Sequence, residues 1–222
     1  MVKHMKHWVF IFAVMTMVLG VVGPRHALAN DRLDEGVALV NSLVERIQTV
    51  IGDNPNQTPE QDQVRAETNA IIDEFFDFDL VARFAAGQAW RSASPTEKSD
   101  YKTAFRRVLL ALAETQFEYF RHIEYTHKTA ISKGPKLMIV SGMVQDKTGE
   151  FPDVVISWRI STKAEKPVRI IDLEVENISM LITQQQENTA IIRQNGGSFQ
   201  ALIDALNQQA DDIAAGKASI SD

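Results

Sequence analysis

The 222-residue chain has no cysteine, which excludes disulfide staples and thiolate-held zinc or iron–sulfur centres. Positive charge is scarce: 23 Lys and Arg face 29 Asp and Glu, a formal net charge of -6. That balance opposes a surface meant to neutralise nucleic-acid phosphates. The local signatures of acyl transfer and nucleotide binding are missing too, with no GxSxG elbow, no P-loop and no GxGxxG. There is no HExxH, and only His122 and His127 lie beyond residue 29. Two histidines five apart without thiolates make a poor metal site, so both read as structural or surface residues and no metal or cofactor is implied. After Val22 no apolar run reaches the ~20 residues that cross a bilayer.

What is present begins with a leader. Lys3 and Lys6 precede a charge-free apolar run from Trp8 to Val22, then Gly23-Pro24 and the small-x-small sequence Ala27-Leu28-Ala29. This is the layout of a secretory signal peptide over residues 1–29, cleaved between Ala29 and Asn30. The apolar run is too short for a membrane anchor. Export leaves a soluble periplasmic chain, and losing Lys3, Lys6 and Arg25 takes the formal charge to about -9. Residues 30–215 are long enough for one domain with a sizeable core, and the tail 216–222 reads as disordered.

From Leu33 the apolar residues Val37, Val40, Leu43, Val44, Ile47, Val50 and Ile51 recur at spacings of three and four, the stripe of an amphipathic helix. Thr58-Pro59-Glu60-Gln61 and Ser94-Pro95-Thr96-Glu97 each spell a capping box with proline at the first helical position. The first box predicts a helix to about Phe75, the second a long helix with Tyr101, Phe105, Val108, Leu109, Leu112, Gln116, Tyr119 and Phe120 roughly on one face. Between them the aromatic stretch around Phe75, Phe76, Phe78, Phe84 and Trp90 reads as short helices wedged into the core.

After His122 the period changes to two. Val154, Ile156, Trp158 and Ile160 alternate with Val155, Ser157, Arg159 and Ser161, the pattern of a half-buried strand. Leu137 to Val144 and Val168 to Glu176 are two more strands and Tyr125 to Ile131 a fourth. Short turns at Gly134-Pro135, Lys147 to Gly149 and Lys163 to Pro167 make them an antiparallel meander. The class is therefore α+β, with helices packed on one face of a four-stranded sheet. Gly196-Gly197 then breaks the chain before a last helix from Ser198 carrying Phe199, Leu202, Ile203, Leu206 and Ile213.

Candidate chemistry is sparse. Asp77 and Asp79 flank Phe78 and read as caps of short helices; Asp172, inside an apolar strand, reads as a buried acid paired with Arg83 or a backbone donor. The apolar residues Trp90, Phe105, Leu109, Leu112, Met138, Val140, Ile156, Trp158, Ile171 and Leu173 lie on elements that face each other. Spacing alone does not separate a filled core from a hollow one, and apolar stripes are ordinarily core.

Three blocks carry a resemblance to the MlaC (toluene-tolerance) family along nearly the whole mature chain. They are Phe78-Asp79-Leu80-Val81-Ala82-Arg83 with Gly87 and Trp90; Ser94-Pro95-Thr96-Glu97-Lys98 entering the helix of Phe105; and Arg169 to Met180, followed by Gly197 and the Leu202 to Leu206 helix. The chain departs from the family pattern at Asn177, where glycine is usual, at Gln184-Gln185, where a tyrosine–arginine pair is usual, and at Ala86 in place of leucine. Asn177 still tolerates a left-handed turn.

The resemblance implies a helix-plus-sheet, NTF2-like cone enclosing a hydrophobic cavity that takes phospholipid acyl chains. The ten apolar residues above then become lipid-binding candidates, with Arg83 and Asp172 as head-group or structural residues. It also implies shuttling between an outer-membrane lipoprotein–porin complex and an inner-membrane ABC transporter complex, without covalent chemistry, in the maintenance of outer-membrane lipid asymmetry. A carrier answers a physical need. Exposing roughly 30 methylenes of a two-chain lipid costs on the order of 20 kcal/mol or more, at about 0.8 kcal/mol each. Two other readings compete: an NTF2-like periplasmic enzyme with Asp172 or Asp79 as base, and a chaperone-type protein with exposed apolar patches.

Overall fold

The computed structural model describes residues 25–52, 60–120 and 122–216. The leader up to residue 24, the box residues Thr58 and Pro59, and the tail from residue 217 lie outside the described residues, as do the side chains of 25–31 and 116–120. Six α-helices and five strands follow in the order α1 (Arg25–Ile51), α2 (Gln61–Phe75), α3 (Phe78–Ala85), α4 (Pro95–Phe120), β1 (Ile123–Ser132), β2 (Leu137–Asp146), β3 (Val154–Ser161), β4 (Arg169–Val175), β5 (Ile178–Ser179), α5 (Met180–Gln194) and α6 (Phe199–Ala214). A single 3₁₀ turn, Gly87–Arg91, joins α3 to α4.

Local sequence explains most of these boundaries. At α4 the second capping box closes in full: the Glu97 amide donates to Ser94 Oγ at 3.2 Å, and the Ser94 amide to Glu97 Oε2 at 2.8 Å. The hydrogen bonds from Ser94 hold the Glu97 carboxyl below its ordinary pKa. At the first box Thr58 and Pro59 lie outside the described residues; α2 opens at Gln61, inside the box, with Glu60 before it and no side-chain hydrogen bond from Glu60, and runs to Phe75 as expected. Asp77 caps α3 by accepting from the Leu80 amide at 3.1 Å. Gly87, at φ +63°, makes the left-handed turn out of α3 that a side chain would resist.

The sheet is the expected antiparallel meander, in the order β1-β2-β3-β4-β5. It has five strands rather than four, since two residues after the Glu176-Asn177 turn pair back onto β4, with Val175 opposite Ile178. Both turn residues have positive φ, 49° and 65°. That is the type I′ geometry whose twist matches a hairpin, and Asn177 accepts it in place of glycine.

One sheet face is apolar and covered by α1. Val40 and Leu43 of α1 pack with Phe75, Met138, Val140, Trp158, Ile160 and Ile170. On the other face Ser141 and Ser157 share a hydrogen bond at 2.7 Å, and Arg159 pairs with Glu174 at 3.0 Å. A second, separate cluster fills the helical half, with Tyr101, Phe105 and Val108 of α4 against Leu202, Ile203 and Leu206 of α6. Asn188 of α5 is fully buried there and donates to the Ala85 carbonyl at 3.0 Å and the Tyr101 hydroxyl at 3.3 Å. Burial raises the pKa of the Tyr101 phenol, which stays neutral.

At Gly142 on β2 a side chain has no room: a Cβ built there would meet the Tyr125 ring of β1 at 2.3 Å. Gly142→Ala is therefore expected to destabilise the fold by about 1–3 kcal/mol, because the ring must leave its place over the strand. A urea titration read by tryptophan fluorescence checks this; an unchanged midpoint would mean that the ring yields freely.

Candidate functional site

The two clusters do not merge. Between them lies a cavity of about 390 Å³, within the ~300–1,000 Å³ of ordinary small-molecule sites. Every layer contributes to its wall: Ile47 and Val50 from α1, Ile71 and Ile72 from α2, and Val81 from α3. Phe105, Leu109 and Ala113 stand four residues apart on one line of α4, and Ile171, Asp172 and Leu173 follow one another on β4. Met180, Leu181 and Gln184 close it from α5. Among the described lining residues only Thr68, Asp172 and Gln184 bring polar groups.

Three consecutive residues of a regular strand cannot share one wall. They do so here because the β3–β4 register slips: Arg159 is opposite Asp172 and its neighbour Ile160 opposite Ile170, leaving Ile171 as an extra residue. The bulge bends β4 and turns its middle toward the helices. It also brings Asp172 to the start of α5.

Asp172 is 8% exposed and its carboxylate is fully engaged. It accepts from the Ser179 hydroxyl at 2.6 Å, the Leu173 amide at 2.8 Å and the Leu181 amide at 3.0 Å. Ser179 in turn caps α5 by accepting from the Ile182 amide at 3.1 Å. The acid therefore binds free amides at a helix N-terminus, a favourable place for negative charge. Of the two partners expected from sequence, the backbone donors are found and Arg83 is not: Arg83 is exposed on α3, and the cation beside Asp172 is Arg159, with Nε at 4.0 Å. Asp79 faces outward and pairs with Lys102 at 3.0 Å.

The ten apolar candidates divide between cavity and packed interior. Phe105, Leu109, Ile171 and Leu173 line the cavity. Met138, Val140, Ile156 and Trp158 lie in or against the cluster beneath α1, and Trp90 and Leu112 pack on the helical cluster. Near Trp158, burial raises the Tyr125 phenol pKa against the opposing effect of the indole. Neither Tyr125 Oη nor Trp158 Nε1 has a hydrogen-bond partner of normal geometry.

The wall residues that the candidate set omits were visible as a stripe on α1, as the aromatic patch at Phe76 and Phe78, and as the end of the third block at Met180. Nothing in their spacing marked them as facing a void. Gln184 gives its amide to Asn188, one turn further along α5, at 3.0 Å, and Gln185 gives its own to the Phe84 carbonyl at 2.8 Å, which ties α5 to α3. Among the described residues no group of three or more His, Asp or Glu side chains could hold a metal ion, and no helix is long and apolar enough to cross a membrane.

Residues 41–208 match the family model for the MlaC protein. No curated protein matches the chain. Among solved structures, the chain is similar to a phospholipid-binding protein from Ralstonia solanacearum, determined in complex with a phospholipid at 1.53 Å. The two are 18% identical with a TM-score of 0.70, and the match covers 80% of this chain and 97% of that one. At that identity the likeness establishes the fold alone, an α+β arrangement.

Proposed function

The chain belongs to the MlaC family, and from that premise we propose that it binds phospholipid by its acyl chains and carries it, without chemistry, through the periplasm. The observation that carries this reading is the cavity, an apolar space of about 390 Å³ left open between two packed clusters. A void of that size in a protein of this length costs stability unless something fills it. Apolar chains are what its walls accept, and the Ralstonia relative was solved with a phospholipid bound.

Residues 30–215 form the lipid-binding unit in this proposal, delivered by cleavage after Ala29. Phe105, Leu109, Ile171 and Leu173 touch the chains together with Ile47, Ile71, Phe78 and Met180. Lipid passing from one bilayer to another exchanges one apolar environment for another, so its net transfer energy lies near zero and direction comes from partners. An outer-membrane lipoprotein–porin complex and an inner-membrane ABC transporter complex are the proposed donor and acceptor. The competing enzyme reading would need a free carboxylate in the cavity, and the oxygens of Asp172 already accept three hydrogen bonds.

Mass spectrometry of organic extracts from the purified protein, beside native mass spectrometry of the same sample, tests the reading. The expected result is one two-chain phospholipid per protein. A folded protein that extracts empty and takes no lipid from vesicles would overturn it.

A further inference from the structure

Because the chain has no cysteine, its methionine sulfurs are the softest side-chain nucleophiles it offers to an oxidant. Beyond residue 29 there are three: Met138, Met143 and Met180. The fold places them very differently. Met138 is 1% exposed in the closed cluster beneath α1, with its sulfur against Gly36. Met143 is half-buried on β2 and, by the alternation of the strand, projects from the sheet face opposite to Met138. Met180 is 38% exposed and is at the same time part of the cavity wall.

Met180 is the first residue of α5 and stands between Ser179 and Leu181. Both neighbours are bound to Asp172, Ser179 through its hydroxyl and Leu181 through its amide. The backbone at Met180 is therefore held in place while its side chain is reached both from solvent and from the cavity. Ile178 and Ile182, also exposed, stand two residues to either side. Here the apolar interior meets water. Gln184, one turn along α5, already gives its amide to Asn188, and Asp172 offers only acceptor oxygens.

We propose that Met180 is a redox-sensitive site of the cavity wall: oxidation of its thioether to the sulfoxide by a peroxide lowers the protein's hold on its apolar cargo, and reduction restores it. The inference rests on the carrier reading above. With hydrogen peroxide, a sulfur lone pair attacks one peroxide oxygen and the O–O bond breaks. That oxygen stays on the sulfur, which is oxidised by two electrons, and the other leaves as water with both protons. The sulfoxide is polar where the thioether was apolar. Facing the chains, its oxygen is an unpaired acceptor; turned to water, it takes the side chain off the wall. Both outcomes remove apolar contact from the cargo. A methionine sulfoxide reductase, with a dithiol as electron donor, returns the thioether and releases the oxygen as water.

The test treats the full mature protein with hydrogen peroxide, locates the added oxygen by peptide mass spectrometry, and reads uptake of phosphatidylethanolamine from vesicles by native mass spectrometry. Met180 should be oxidised before Met143 and Met138. Loading at subsaturating lipid should then fall by about tenfold, the effect of one unpaired polar group set against the chains. Sulfoxide reductases, one for each epimer, should restore it. Met180→Leu carries no sulfur at this place, so its loading after peroxide should equal its own loading before. Met143→Leu should respond to peroxide as the wild type does, and circular dichroism should show the oxidised proteins folded. Oxidation of Met143 ahead of Met180, undiminished loading of the Met180 sulfoxide, a peroxide-induced loss in Met180→Leu equal to that of the wild type, or unfolding of the oxidised protein would each overturn the redox site and leave the carrier reading standing. No uptake of lipid by the untreated wild-type protein would overturn both.

Discussion

Leu109→Trp should abolish lipid loading while leaving the protein folded. Leu109 projects from the middle of α4 into the open cavity, between Phe105 and Ala113 on the same line of the helix. The larger indole enters space that no protein atom occupies, so it avoids the overpacking cost of about 1–3 kcal/mol that a filled core exacts. It removes instead the volume that the acyl chains need. The adjacent position supplies the control, since Val108 is 2% exposed within the helical cluster. Val108→Trp should lower the urea midpoint clearly. Bound phospholipid, read per folded protein by native mass spectrometry, should fall at least about tenfold in Leu109→Trp, the equivalent of ~1.4 kcal/mol of lost affinity. Normal loading, or a stability loss equal to that of Val108→Trp, would show that the space at Leu109 is not where lipid sits.

Asp172→Ala is expected to cost about 3 kcal/mol or more in unfolding free energy. Three donors lose their acceptor at once, and each buried orphan costs about 1–3 kcal/mol, partly offset where water enters. The two amides belong to Leu173 on β4 and Leu181 on α5, so the change unpins the helix from the strand. Met180 and Leu181 form part of the cavity wall there, and lipid loading should fall together with stability. Asp172→Asn keeps the shape but turns an amide NH₂ toward at least one donor, and it should lie between wild type and alanine. Guanidinium unfolding followed by circular dichroism measures all three. A loss below ~1 kcal/mol for the alanine variant, the size of an ordinary surface change, would mean that the carboxylate does not hold this junction.

Leu109 and Asp172 also show where sequence reasoning stops. The helical stripe of α4, the complete box at Ser94 and Glu97, the two-residue period of β3 and the left-handed turn at Asn177 are written in near-neighbour residues, because each depends on backbone geometry within a few positions. Such patterns identified the α+β class, and with the three family blocks they identified the family. The first box likewise placed a helix opening within it, at Gln61, and running to Phe75.

Periodicity reports which residues turn inward, but this fold has two packed interiors and a hollow between them. Leu109 and Val108 are consecutive on one helix, and so are Phe105 and Ala104, yet one of each pair meets the void and the other does not. Met138, Val140 and Trp158 satisfy the same apolar pattern as Leu173 and lie under α1, where the cluster is closed. The β3–β4 bulge that sets Ile171, Asp172 and Leu173 along one wall has no signature in composition or spacing. By itself the sequence determined the elements, their class and the family, since those follow from local geometry and ordered blocks. Whether an inward-facing residue meets a packed neighbour, an open cavity or a distant charge was decided only by tertiary structure, because that depends on how the layers are spaced when they come together.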